Sequence, residues 1–120
     1  MSRSLGEFEL LLLFAVLRLK PDEAYGARIG REIAERTGRE VSAGAVYTGL
    51  DRLQTRGLVS SREGEATPVR GGRRKKYYGL EPEGARALHE SWTRVRSMAE
   101  GVRSELERAS RPRPGRERSA

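Results

Sequence analysis

The segment from Leu5 to Leu19 is apolar at nearly every position, and its charged residues lie only near the two ends. A helix that is apolar almost all round must be covered on most of its sides. Pro21–Asp22 follows, and proline does not continue a helix. The pattern therefore predicts a buried first helix over about residues 5–19.

A second segment covers about residues 24–37. Its apolar residues Tyr25, Ile29 and Ile33 recur at four-residue spacing, with charged residues on the other faces. This spacing predicts a short amphipathic helix. Gly38 follows where a left-handed glycine commonly ends a helix.

A third helix is predicted from Ser42, a good N-cap residue, to about residue 56, and Gly57 ends it. Its inward stripe is Val46, Leu50 and Leu53. Two helices joined by a short link, the second with a polar outer face, are typical of a helix-turn-helix.

Two short strands are predicted next, over residues 58–63 and 74–80, with the glycine- and proline-containing loop 64–73 between them. A hairpin directly after a helix-turn-helix is a wing. The fold class is thus mainly α with a small β-hairpin, and residues 1–81 form the winged domain.

Pro82 is suited to the first turn of a last helix. From there, apolar residues recur at alternating spacings of three and four: Ala85, Leu88, Trp92, Val95, Ala99, Val102, Leu106 and Ala109. This heptad pattern predicts one coiled-coil-like helix over 82–109, roughly 40 Å long. The seam could pack on its own domain, but that length favours a homodimer. The predicted interface is Leu88, Trp92, Val95, Ala99, Val102 and Leu106. Residues 110–120 are rich in arginine and lack periodicity, which predicts a disordered basic tail.

The net charge is +7, from 24 Lys and Arg against 17 Asp and Glu. Such a balance suggests a polyanionic partner, either nucleic acid or an anionic membrane surface. There are no cysteines, which excludes disulfides and thiolate metal sites. The apolar run 10–17 is far shorter than the roughly 20 residues of a membrane span. A cytoplasmic protein is expected.

Two surfaces are candidate DNA contacts. On the third helix, residues off the inward stripe can face a major groove: Ser42, Ala43, Gly44, Tyr47, Thr48, Asp51 and Arg52. In the wing, cations cluster without an anion among them: Arg70, Arg73, Arg74, Lys75 and Lys76. Either set could be an ordinary solvated face, but a basic wing beside a helix-turn-helix favours phosphate binding. Gly49, in mid-helix at a cost of roughly 1 kcal/mol, is left unexplained.

An enzyme is not indicated. His89, the one histidine, has no evident catalytic or metal-binding partners, and no phosphate-loop pattern, metal site or cofactor site is present. Trp92 has two interpretations. It either packs in the seam or forms part of a candidate pocket for a small aromatic effector.

Over residues 5–109 the chain resembles the PadR family of bacterial transcriptional regulators. The resemblance rests on Tyr25-Gly26, Ser42-x-Gly44-x-x-Tyr47, Gly57-Leu58, the wing string 71–78 and Leu80-x-Pro82-x-Gly84. It departs at Thr48, where proline is frequent, and at Glu81, where a threonine or serine often caps the last helix.

The resemblance implies a homodimer built by the first and last helices, often one that represses a nearby promoter. It assigns DNA contacts to Tyr25, Ser42, Gly44, Tyr47 and the wing cations, and it keeps an aromatic effector at Trp92 under consideration. The predicted function is a DNA-binding repressor with a two-fold-symmetric operator. The alternative is a winged-helix adaptor that senses a ligand or binds a protein without binding DNA.

Overall fold

The computed structural model describes residues 4–65 and 74–112. These residues form five helices and a two-stranded antiparallel hairpin, which confirms the predicted fold class. The elements in chain order are α1 (Glu7–Arg18), α2 (Gly26–Thr37), α3 (Ala43–Thr55), β1 (Val59–Glu63), β2 (Lys76–Leu80), α4 (Pro82–Ala99) and α5 (Arg103–Ala109).

Local capping accounts for the starts of α1 and α3 and for the end of α2. The Gly6 amide donates to Glu9 Oε1 at 2.9 Å, and the Ala45 amide donates to Ser42 Oγ at 3.1 Å. Both contacts satisfy amides that have no partner within the helix. Gly38 adopts a φ of 75° after α2, as the sequence predicts. Each helix therefore has boundaries within a few residues of the expected ones.

The two strands pair antiparallel, from Val59 opposite Leu80 to Glu63 opposite Lys76. The hairpin joins the helices through its buried side chains, since Val59 and Tyr78 both lie in the core. The Tyr78 amide also donates to the Ala24 carbonyl oxygen at 2.8 Å, next to α2. The base of the wing is therefore fixed to the helix-turn-helix. The wing tip, 66–73, lies outside the described residues.

The core is centred on α1, whose Leu12 and Leu13 are fully buried together with Leu50 and Leu53 of α3. Gly49 is explained by this packing. A Cβ at Gly49 would lie 2.5 Å from Leu12 Cδ1, so only glycine lets α3 approach α1 this closely. The cost of a mid-helix glycine is therefore offset within the chain's own core.

Helix α4 packs on α1, and its buried residues Gly84, Leu88 and Ser91 all lie within its first ten residues. Leu88 is 4% exposed and belongs to the core of its own chain. The sequence placed Leu88 in the dimer interface, and this assignment is corrected, because the side chain has almost no surface left to offer a partner. Trp92 is the first residue of the predicted interface that remains exposed, and its ring meets that of Phe14 edge to face at a centroid distance of 5.9 Å.

The single helix predicted over 82–109 is interrupted. Helix α4 ends at Ala99, Gly101 takes a φ of 83°, and α5 starts at Arg103. Glycine adopts this left-handed conformation without the steric cost that other residues incur, which explains the position of the break. The predicted disordered tail falls mostly on residues 113–120, which lie outside the described residues.

Among the described helices, none combines the length and the apolar character required to cross a membrane.

Candidate nucleic-acid interface

The outer face of α3 is exposed where the sequence predicts it. Its candidate contact residues all lie on the surface: Ser42, Ala43, Gly44, Tyr47, Thr48, Asp51 and Arg52. The hydroxyl of Ser42 already accepts from the Ala45 amide, so this side chain also serves as the helix cap. The inner residues Val46, Leu50 and Leu53 are buried, which holds this face outward.

Tyr47 is 44% exposed, and its ring lies against the start of α2. A Cβ at Gly26 would lie 2.5 Å from Tyr47 Cζ and 2.6 Å from Tyr47 Oη. Real Cβ atoms essentially never come within 3.0 Å of a non-bonded heavy atom, so the ring occupies the space that glycine leaves open. The ring of Tyr47, the aromatic residue of α3, thus packs against the first turn of α2. This contact between Gly26 and the Tyr47 ring is called the seat of Tyr47 below.

Tyr25, the residue just before Gly26, is half-buried and makes contacts with the base of the wing. Its ring meets that of Tyr77 edge to face, at a centroid distance of 5.8 Å, and Lys75 Nζ lies 4.0 Å from its centroid. An isolated β-bridge also pairs Tyr25 with Tyr77. Tyr25, assigned to DNA contact by resemblance, therefore has much of its ring engaged within the protein.

The described wing cations Arg74, Lys75 and Lys76 are all exposed. Arg74 lies 3.9 Å from Glu63, at the limit of an ion pair between two exposed groups. Such a pair contributes little and leaves Arg74 available to a stronger anion. Arg70 and Arg73 fall outside the described residues, so their contribution stays a prediction.

Arg62 is a wing residue that the sequence analysis missed. Its guanidinium lies 4.7 Å from the Tyr77 ring centroid, and its Nη2 donates to the Pro21 carbonyl oxygen at 3.2 Å. The register places Arg62 directly opposite Tyr77, so a hairpin alignment of the two predicted strands could have found this pair.

A buried phenol lies beneath this surface. Tyr78 is 3% exposed, and its hydroxyl has no hydrogen-bond partner among the described residues. Burial raises the pKa of Tyr78, and the nearby negative charge of Asp51 raises it further. Tyr78 is therefore a neutral core residue.

A carboxylate surrounded by three arginines fixes α2 to the end of α1. Glu32 lies 2.7 Å from Arg36 Nε, 3.0 Å from Arg28 Nη1 and 3.5 Å from Arg18 Nε. The hydrogen bond from Arg36 is the main cause that lowers the pKa of Glu32, against the opposing effect of burial. The sequence pattern predicts that these charged residues lie on the polar faces of their helices, but it does not predict that they pair with one another.

A second surface consists of apolar side chains near the C-terminus that the single chain leaves exposed. From the predicted interface they are Trp92 (42%), Val95, Ala99, Val102 and Leu106 (67%), and Met98 and Leu17 were not predicted. Apolar residues clustered in this way are typical of an association surface. Leu17, on α1, is 58% exposed.

Within residues 4–65 and 74–112, no three His, Asp or Glu side chains gather closely enough to hold a metal ion. The depression beside α3 is lined by charged and hydroxyl side chains: Glu9, Thr48, Asp51, Arg52, Thr55 and Arg56. Its Arg56 and Glu9 form an ion pair at 3.2 Å.

Comparison with known proteins identifies this architecture. The model of the transcriptional regulator PadR-like family matches residues 13–90. A PadR family transcription regulator from hypervirulent Clostridium difficile is 25% identical, with a TM-score of 0.68 over 84% of this chain and 99% of that one. A PadR family regulator from Eggerthella lenta is 26% identical, with a TM-score of 0.64 over 84% and 87% of the two chains.

Bacillus subtilis PadR, in a crystal structure with operator DNA, is 21% identical, with a TM-score of 0.60 over 71% of this chain and 47% of that one. At this identity the likeness concerns the fold alone. A search of the curated proteins found no match to the sequence.

Proposed function

The chain belongs to the PadR-like family of transcriptional regulators, and we propose that it acts in the cytoplasm as a homodimeric repressor that binds a two-fold-symmetric operator. Members of this family are regulators and not enzymes. The observation that carries the proposal is the exposed polar face of α3 beside the exposed cations of the wing.

In the proposed complex, α3 enters the major groove and the wing lies along the backbone. Tyr47, Thr48 and Arg52 present hydroxyl, aromatic and guanidinium groups to base edges, the types of contact that distinguish sequences. Lys75 and Lys76 offer positive charge that does not distinguish one base from another, which suits contacts to phosphates. Bacillus subtilis PadR, a protein of the same fold, has been crystallised in complex with operator DNA, which supports DNA binding as such.

The proposed dimer uses the exposed apolar surface of α1, α4 and α5. Trp92, Val95, Ala99, Val102 and Leu106 form its seam, and Leu17 and Met98 extend it. Burying these side chains against a second copy stabilises the pair by roughly 25 cal/mol per Å² of apolar surface. A symmetric dimer also accounts for a symmetric operator.

The exposed face of Trp92 fits two occupants: the second copy and a flat aromatic effector. Trp92 is the one tryptophan of the chain, so its fluorescence reports directly on ligand binding. Titration with a panel of planar aromatic compounds tests the effector. Saturable quenching in the parent is the expected result. Since Trp92→Ala removes the fluorophore, calorimetry compares the two proteins: heat of binding that is lost in Trp92→Ala supports the pocket, and binding that survives this substitution places it elsewhere.

Selection of bound sequences from random duplex DNA tests the function. A two-fold-symmetric consensus is the expected result, and its half-site spacing follows from the dimer. Failure to enrich any sequence, with no affinity for DNA at low salt, would favour the alternative adaptor that does not bind DNA.

A titration series then separates the two contact elements. Tyr47→Ala should weaken binding to the selected duplex by about 1–3 kcal/mol and barely affect an unrelated duplex. Lys75→Ala should weaken both duplexes and flatten the log–log salt slope by about 0.9 per contact, hence roughly 2 per symmetric dimer. Identical profiles for the two variants would contradict this division between base and phosphate contacts.

A further inference from the structure

We propose that the dipeptide Tyr25–Gly26, at the start of α2, is the junction that sets the position of Tyr47 in α3 relative to Lys75 at the base of the wing. This inference rests on the proposed DNA-binding function. It assigns to Gly26 and Tyr25 a positioning role and not a direct contact with DNA.

Gly26 forms one side of the junction. Its backbone is buried beneath the Tyr47 ring, and an added Cβ would lie 2.5–2.6 Å from three atoms of that side chain, Cζ, Cε1 and Oη. The φ of Gly26 is not positive, so its backbone does not require glycine. What requires glycine is the space occupied by the phenol.

Tyr25 forms the other side. Its ring lies 4.0 Å from Lys75 Nζ and meets Tyr77 edge to face, while its backbone forms a bridge with Tyr77. A cation held over an aromatic face is attracted by the ring and loses some of its freedom to move. Lys75 is thereby kept close to α2, although its side chain is on the surface.

Two adjacent residues therefore contact the two elements proposed to bind DNA. Hydrogen bonds to bases and phosphates require donor–acceptor distances near 2.7–3.2 Å. A recognition tyrosine and a wing lysine can both meet this requirement on a single duplex only if their separation is fixed. The contacts of Tyr25–Gly26 supply that constraint from within the protein.

The first experiment is a double-mutant cycle of Gly26→Ala and Tyr47→Ala. The probes are the duplex selected by the parent protein and a scrambled duplex of the same length. An added methyl group at Gly26 displaces the ring, so Gly26→Ala should lose about as much affinity for the selected duplex as Tyr47→Ala, roughly 5- to 100-fold. The double variant should show no further loss. Losses that multiply, or parental binding by Gly26→Ala, would overturn the inference.

Gly30→Ala is the matched control, one turn further along α2. A Cβ at Gly30 would lie 3.4 Å from Val46 Cγ2, an ordinary contact. This variant should bind both duplexes like the parent, and a loss equal to that of Gly26→Ala would count against a specific role of the seat.

Thermal unfolding provides a readout that needs no DNA. Gly26→Ala should lower the Tm, and adding Tyr47→Ala should restore it, because the clashing ring is then gone. A double variant as unstable as Gly26→Ala alone would show that the Tyr47 ring is not what makes Gly26→Ala unfavourable. If stability is restored but the parent protein does not bind DNA, the packing of Tyr47 on Gly26 is supported and the proposed function is wrong.

The second experiment compares Tyr25→Phe with Tyr25→Ala on the scrambled duplex. Phenylalanine keeps the ring that holds Lys75, so its salt slope should equal the parental one. Tyr25→Ala should flatten the slope in the same direction as Lys75→Ala, and it should have no further effect in the Lys75→Ala background. If Tyr25→Phe is as damaging as Tyr25→Ala, the hydroxyl itself contacts DNA and the positioning role of Tyr25 is overturned.

Discussion

Helices α3 and α4 are both amphipathic, but they differ in where their apolar faces find partners. On α3 the inward residues Val46, Leu50 and Leu53 are all buried by α1 and α2. On α4 burial stops after Ser91, and Val95 and Met98 are exposed (Met98 at 83%). The same kind of periodicity thus gives a fully buried apolar face on α3 and a partly exposed apolar face on α4.

The ion pairs of the two regions differ in the same way. Around the first three helices, three pairs join separate segments: Glu32 with Arg18, Glu9 with Arg56 and Glu7 with Arg39. Two further pairs of Glu32 are local to α2. In α4 and α5 the described pairs are local, between residues three or four apart. Pairs of that kind support a helix but do not fix its position in the fold. The N-terminal region is therefore held internally, whereas on the C-terminal helices only the proposed dimer would supply comparable contacts between elements.

The largest expected effect comes from placing charges on the exposed apolar face of α4 and the start of α5. Val95→Asp combined with Val102→Asp would bury unpaired carboxylates in the proposed seam, which is strongly unfavourable. Sedimentation should show a dimer for the parent and a monomer for the variant. Thr93→Asp with Ser97→Asp is the control, since both residues are exposed on the opposite face. A parent that is monomeric at micromolar concentration would contradict the proposal that a second copy covers the exposed apolar face of α4.

The second prediction compares one leucine from each region within the monomeric Val95→Asp/Val102→Asp protein. Leu50 is fully buried and Leu106 is 67% exposed. Leu50→Ala should lower the free energy of unfolding by about 2–5 kcal/mol through lost burial and a residual cavity. Leu106→Ala should change it by less than about 0.5 kcal/mol. Urea unfolding measures both, and similar losses would mean that α5 packs on its own chain.

These regions also differ in how far the sequence predicts them. The first three helices and the hairpin follow from periodicity and capping residues such as Ser42 and Gly38, because those signals act locally. The seat of Tyr47 on Gly26 and the approach of Gly49 to Leu12 depend on contacts between elements, which no spacing encodes. The heptad pattern predicts the seam residues but not the break, since a glycine off the seam leaves the pattern intact. Leu88 was misassigned because periodicity does not distinguish a partner in the same chain from one in another.

The third prediction concerns the charged link between α1 and α2. Glu32→Gln removes the carboxylate that three arginines share, and it should lower stability near pH 7 by about 1–3 kcal/mol. The pKa of Glu32 is lowered in the folded protein, so its contribution is present above the unfolded value near 4.5 and is lost as the pH falls further.

The parent should therefore lose stability more steeply on acidification than Glu32→Gln does. Glu35→Gln, an exposed position on the same helix, is the control and should follow the parent. Denaturant unfolding at a series of pH values measures the difference. Parallel curves for the parent and Glu32→Gln would show that the arginines do not stabilise the ionised carboxylate.

The smallest expected effect concerns Gly101, the break between α4 and α5. The seam residues Ala99 and Val102 lie on either side of it at the spacing that a continuous helix would require. Alanine disfavours the observed φ of 83° and is about 1 kcal/mol better than glycine within a helix. Gly101→Ala should therefore raise the helical circular dichroism signal and tighten the dimer by about fivefold per protomer, hence roughly 25-fold for the symmetric dimer. Gly38→Ala, which also replaces a positive-φ glycine with open space around it, should lower stability and leave the dimer affinity unchanged. A Gly101→Ala dimer weaker than the parent would mean that the bent form, and not the continuous helix, completes the surface that α4 leaves open.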